Sequence, residues 1–180
     1  MLRQLLHSVA SARKSRALWA CLTALSCLGS GDQVRALDDS SYAAARETMV
    51  REQIVARGIR EPRVIEAMLR VPRHLFIPPA ERHRAYSDAP VPIGEGQTIS
   101  QPYIVALMTE LVRPQSDDIA LEVGTGSGYQ AAVLSRLVKH VYTIELEDTL
   151  GRRASAALRE QEYDKDRKST RLNSSHPYRS

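Results

Sequence analysis

The sequence predicts an α/β fold with parallel strands, preceded by a helical region. Three observations predict it. Ile119-Ala-Leu-Glu-Val123 is an apolar run of strand length, and it meets the turn Gly124-Thr-Gly-Ser-Gly128. An amphipathic stretch from Tyr129 to Val138 follows. A second apolar run, His140 to Glu145, then ends in an acid. Strand, glycine turn, helix and strand in that order form the opening half of a nucleotide-binding α/β unit.

Composition narrows the function classes. The 180 residues carry a formal net charge of +4 with a pI near 9.3. The basic excess lies in residues 1–36 and 164–180, so the stretch 37–163 is mildly acidic. That argues against a nucleic-acid surface in the body of the protein. Cys21 and Cys27 both lie near the N-terminus, and the histidines are scattered, so no metal site is expected.

Residues 1–36 read as a targeting segment or as sequence ahead of a misassigned start. Arg3, Arg13, Lys14 and Arg16 precede an apolar run from Ala17 to Leu28, too short to span a bilayer comfortably. Val34-Arg-Ala36 fits a cleavage site for export. Residues 37–116 form the helical and loop region. A helix is expected from Asp38, capped by Asp38 to Ser41 and stopped at Gly58, with Tyr42, Met49, Val50 and Ile54 as its apolar stripe. A second begins after Glu61, with Pro62 in its first turn, Val64, Ile65, Met68 and Leu69 at helical spacing, and Val71-Pro72 ending it. Ala80 to Tyr86 offers one more turn.

Ser87 to Gln101 holds two prolines and two glycines, which forbid a regular helix and weaken any strand. Ile93 and Ile99 among polar neighbours point to an ordered, packed loop. Pro102 then opens a helix whose apolar face is expected from Tyr103, Ile104, Leu107, Met108, Leu111 and Val112. Ser100 sits just ahead of that helix, where a capping or turn role is the plain reading of its position. Residues 117–163 form the α/β unit, closing with a helix from Asp148 to about Glu162 on Leu150, Ala154, Ala157 and Leu158. Residues 164–180 have no periodicity and little to bury, and read as a disordered or foreign tail.

The glycine turn carries the chemistry. Its spacing, Gly124-x-Gly126-x-Gly128, is not that of the nicotinamide fingerprint. Glu122 lies two residues before the first glycine, where a carboxylate repels a pyrophosphate but suits a cationic ligand. Glu145 ends the second strand, 17 residues after Gly128, at the place for an acid that accepts ribose hydroxyls. No Lys follows the glycines, which excludes a P-loop. Together these point to S-adenosylmethionine, held by Glu122, Gly124, Thr125, Gly126, Ser127, Gly128 and Glu145. Taken singly, the glycines also suit a plain tight turn, and Glu145 a solvated strand end.

Four segments resemble the protein-L-isoaspartate O-methyltransferase family: Met49-Val-Arg-Glu-Gln53, Val71-Pro-Arg-His-Leu-Phe76, Gly96-Gln-Thr-Ile-Ser-Gln-Pro-Tyr103 and Leu121 to Gln130. The third is the most specific. The resemblance runs from about Tyr42 to Tyr163 and implies a partial Rossmann-like, S-adenosylmethionine-dependent methyltransferase fold. It implies methyl transfer to the carboxylate of L-isoaspartyl and D-aspartyl residues in damaged proteins, a repair reaction. It also implies that Ser100 is the active-site serine, orienting the substrate carboxylate, with Gln97, Thr98 and Ile99 lining the pocket. A carboxylate is already ionised at neutral pH, so no strong base is required. The family's larger sheet is supplied here only as far as its first two strands, so the chain is expected to be an incomplete, poorly stable fragment without activity. A cytoplasmic, monomeric protein with no stable membrane association is implied, export being the alternative if residues 1–36 are a true signal. A small-molecule methyltransferase and a non-catalytic nucleotide-binding module are the competing readings, with a nicotinamide enzyme more distant.

Overall fold

The computed structural model describes the backbone of residues 30–163 and 170–174, and the side chains of residues 40–163. Most of the expected targeting segment, Cys21, Cys27, His7 and His176 lie outside the described residues. Two compact units divide at Ser41 and Tyr42. Of the first, only the opening of helix α1, Ser30–Met49, is described. Val34-Arg-Ala36 lies inside that helix, as do Asp38 to Ser41, so these residues are not its caps.

In the second unit α1 runs on into a π-helical turn, Val50–Ile54, and a 3-10 turn, Val55–Arg57. Gly58, at φ 101°, ends the run as expected. Met49, Val50 and Ile54 are buried and Tyr42 is half-buried, so the expected stripe holds. Helix α2, Pro62–Arg70, starts as the sequence indicates: Pro62 is in its first turn and the Glu61 side chain accepts the Arg63 amide. Val64 and Met68 are buried, whereas Leu69 lies at the surface. Two 3-10 turns follow, Arg73–Phe76 and Pro79–Arg84.

Ser87 to Gln101 is ordered, but more regular than a packed loop. It forms a hairpin of β1, Val91–Gly94, and β2, Gln97–Ile99, paired antiparallel with a break in register between Pro92 and Gly94. Pro92 is tolerated because this ribbon has no third strand. Gly94, Glu95 and Gly96 all have positive φ, which reverses the chain sharply. Ile93 and Ile99 are buried as expected.

Helix α3, Pro102–Leu111, begins at the expected proline but buries another side. Val105, Ala106 and Thr109 face the core, while Ile104, Met108, Leu111 and Val112 are exposed. The helix is apolar nearly all round, so periodicity alone does not select a face. The small side chains let α3 pack against α2 and the π-helical turn. Thr109 is satisfied there by donating to the Val105 carbonyl at 2.7 Å.

The parallel sheet holds β3, Ile119–Val123, β4, His140–Glu145, and β5, Thr170–Ser174, in that order. Helix α4, Tyr129–Ser135, connects β3 to β4, and α5, Asp148–Glu160, follows β4. β5 falls in the stretch read as a structureless tail and adds a third strand to the expected two. It pairs from Val141↔Thr170 to Glu145↔Ser174, which satisfies backbone groups along the free edge of β4. One sheet face is covered, with Val141 and Thr143 fully buried. On the other face Ile119, Leu121 and Val123 are 63–78% exposed. At the centre of the core Tyr129 stands edge-on to Phe76 at 5.8 Å and beneath the Arg73 guanidinium at 5.0 Å. Arg73 is fully buried and bonds the Ala85 carbonyl at 2.7 Å, tying the 3-10 segments to α4.

Candidate functional site

The site forms where β3 ends. Gly124, Gly126 and Gly128 have φ of 87°, 53° and 87°, a left-handed path that side chains disfavour. The Gly124 amide donates to the Ile144 carbonyl at 2.8 Å, pinning the loop to β4. A Cβ placed on Gly124 would meet nothing within 4 Å, so that backbone faces open space. On Gly128 it would lie 3.3 Å from Ala154 Cβ and 3.4 Å from Leu158, so this glycine lets α5 approach the loop. Gly128 is also the residue from which α4 starts.

A cavity of about 390 Å³ lies against the loop. Gly124, Thr125, Gly126, Ser127 and Glu122 line one wall, and Thr98, Ile99 and Ser100 line the other. Three of the four expected substrate-side residues thus lie beside the glycine loop, and Ser100 is exposed there. Gln97 and Gly128 are not among the lining residues. Other lining residues, among them Met108, Val112, Leu121, Val123 and Tyr129, were not assigned to the site by sequence reasoning.

The two acids differ. Glu122 is half-buried and accepts a hydrogen bond from Thr143 at 2.6 Å. Burial of its carboxyl raises its pKa to about 7; the Thr143 bond opposes that shift and the nearby Glu145 charge adds to it. Glu145 does not line the cavity. One of its oxygens accepts the Gly126 amide at 2.7 Å, and the other accepts the Leu146 and Glu147 amides, each at 2.9 Å. It therefore buttresses the loop and the entry to α5.

These residues fit a nucleoside carrying an amino acid and a cationic centre. The Gly124 backbone leaves room for close approach, Glu122 supplies negative charge, and no side-chain cation points to phosphate recognition among the lining residues. Among the described residues no group of His, Cys, Asp and Glu side chains has the arrangement of a metal site. A second cavity of about 400 Å³ shares Gly126 and Ser127 and is otherwise walled by residues such as Leu75, Pro78, Ile93 and Arg153. Arg153 donates to the Ile93 carbonyl at 3.2 Å and lies 3.9 Å from Glu95, joining α5 to the hairpin.

The family model described as protein-L-isoaspartate(D-aspartate) O-methyltransferase matches residues 44–173. The chain belongs to this family. Curated protein-L-isoaspartate O-methyltransferases agree: one from Synechococcus sp. is 57% identical over 117 residues, covering 65% of this chain and 48% of the relative. Another, from Pelotomaculum thermopropionicum, is 56% identical over 127 residues, covering 71% and 56%. The chain thus spans about half the length of these relatives. The fold also resembles a Plasmodium falciparum protein-L-isoaspartate O-methyltransferase solved with S-adenosyl-L-homocysteine. The TM-score there is 0.62 at 24% identity, over 74% of this chain and 64% of that one. The architecture is therefore the Rossmann-like fold of S-adenosylmethionine-dependent methyltransferases. Among the described residues no helix is long and apolar enough to cross a membrane.

Proposed function

We propose that the protein methylates the carboxylate of L-isoaspartyl and D-aspartyl residues in damaged proteins and peptides, using S-adenosylmethionine. One observation carries the reading: Ser100 and Thr98 share a single cavity with Glu122 and the glycine-loop backbone. Glu122, Gly124, Thr125, Gly126 and Ser127 hold the cofactor, while Gly128 and Glu145 fix the loop from behind. Bound S-adenosylmethionine supplies an electrophilic methyl group. The acceptor carboxylate is already nucleophilic, so Ser100 orients it by hydrogen bonding and no general base is needed. Thr98 and Ile99 shape the acceptor side, and Gln97 lies at the hairpin turn next to them. The chain acts as a monomer in the cytoplasm, without a nucleic-acid partner or stable membrane association.

Methyl transfer to an L-isoaspartyl peptide, compared with its aspartyl isomer, tests this. The chain spans about half the length of its relatives and the cavity is open beside the exposed faces of α3 and β3, so in place of the inactivity expected from the sequence we propose at most slow transfer by this chain. Selectivity depends on the hairpin and is expected to be retained. Methylation confined to the isoaspartyl peptide, and lost in Ser100→Ala, supports the proposal. Equal methylation of both peptides, or full activity of Ser100→Ala, overturns it. Binding of S-adenosylhomocysteine without transfer favours a nucleotide-binding module.

A further inference from the structure

A chain of buried hydroxyls links the glycine loop to its acid. Thr125 Oγ1 and Thr143 Oγ1 are 2.5 Å apart, and Thr143 Oγ1 is 2.6 Å from Glu122 Oε2. Thr125 is 3% exposed and Thr143 is fully buried. The parallel register places Glu122 directly opposite Thr143, so both side chains share the covered face of the sheet. An ionised carboxylate only accepts. Thr143 therefore donates to Glu122, and Thr125 donates to Thr143. Both bonds join side chains in three separate segments: β3, the loop after it, and β4. A buried hydroxyl costs free energy unless it is hydrogen-bonded, and Thr143 meets that cost through these two partners on the loop and on β3.

We propose that Thr143 is a positioning residue of the cofactor site, coupling Thr125 of the glycine loop to the Glu122 carboxylate so that loop and acid keep one geometry. The inference rests on the reading of this cavity as the S-adenosylmethionine site. Thr143 does not line the cavity, so it acts through its two neighbours. The charged group acting on Glu122 is Glu145 of β4, which opposes its ionisation. The cavity wall adds Tyr129 from α4, kept neutral by burial, together with Thr109 of α3, Gln130 of α4 and the uncharged hairpin residues Thr98 and Ser100. Among the described residues that line the cavity none is cationic, so none takes Thr143's place in holding the negative form.

The test is a carbon-13 NMR titration of the Glu122 carboxyl, assigned by its loss in Glu122→Gln. Calorimetry with S-adenosylhomocysteine across pH accompanies it. The wild-type midpoint is expected near 7, because burial raises it. In Thr143→Val the midpoint moves up by about one pH unit or more, because a hydrogen bond to a charged group is lost. Affinity near neutral pH falls about fivefold or more and recovers at higher pH. Thr143→Ser keeps the wild-type midpoint. An unmoved midpoint in Thr143→Val, or a serine variant that shifts as far as valine, overturns the proposal. An affinity loss equal at every pH does so too, since that is a packing defect. If Thr143→Val does not fold, Thr125→Val tests the first link. A smaller upward shift supports the coupling, and no shift overturns it. The two readings fail separately: a moved midpoint with no ligand heat in wild type removes the cofactor assignment alone, and ligand heat with an unmoved midpoint removes the coupling alone.

Discussion

Replacing single glycines by alanine separates what each does in the loop. Three glycines with φ near 90–100° differ in what surrounds them. Gly58 (φ 101°) and Gly124 (φ 87°) would each carry a Cβ into open space, whereas at Gly128 (φ 87°) it would press on Ala154 and Leu158 at 3.3–3.4 Å. A left-handed backbone costs an L-residue about 1 kcal/mol or somewhat more. Crowding a packed helix costs about 1–3 kcal/mol. Gly58→Ala should therefore lose about 1 kcal/mol of stability in urea unfolding. Gly128→Ala should lose about 2–4 kcal/mol by the same two terms. Gly124→Ala should resemble Gly58→Ala in stability, yet lose S-adenosylhomocysteine binding by more than tenfold, because its new methyl group enters the space the ligand needs. Calorimetry and unfolding on the same three variants read both quantities. Equal stability losses at all three positions would refute the packing argument. Wild-type binding by Gly124→Ala would refute the close-approach argument.

Further consequences are open to measurement. The raised Glu122 pKa, about 7 against 4.5 unfolded, means that the folded state binds the extra proton between those values. Stability should then fall as pH rises from about 4.5 through about 7, by on the order of 3 kcal/mol at most, and Glu122→Gln should flatten that part of the urea-unfolding profile. The Glu110 carboxylate accepts the Arg60 and Glu61 amides, each at 2.7 Å, at the start of α2. Glu110→Ala should cost about 1–3 kcal/mol in urea unfolding. Arg153→Ala releases the hairpin from α5; it should change stability by under about 1 kcal/mol, the ion pair being exposed. Its isoaspartyl methyl transfer should nonetheless fall, with S-adenosylhomocysteine affinity retained.

The sequence made the site more legible than the packing around it. Gly58, Pro62, Pro102 and the glycine turn impose local backbone geometry that needs no tertiary knowledge, and each element boundary they mark is present. The buried face of α3 was not legible, because apolar residues surround that helix and only its packing against α2 decides which enter the core. β1 and β2 were hidden by Pro92 and three successive positive-φ residues, which suppress a strand signal but suit an isolated ribbon. β5 was hidden because Thr-Arg-Leu-Asn-Ser has no strong pattern of its own and is recruited by the edge of β4. Glu145 was expected to accept ribose hydroxyls; its carboxylate also accepts three backbone amides, a contact set by how the chain turns after β4 that no sequence pattern signals. Thr143 left one signal: a hydroxyl between Val141 and Glu145 on the inward side of β4, in register with Glu122.

In the proposed function, β3, the glycine loop and the hairpin assemble a cradle for S-adenosylmethionine. Titration calorimetry of the chain with S-adenosylhomocysteine tests it most directly. Saturable one-to-one binding is expected, strengthening as pH rises through about 7 and lost in Gly124→Ala. Absence of heat and of thermal stabilisation at saturating ligand, in a chain that unfolds cooperatively, would contradict it.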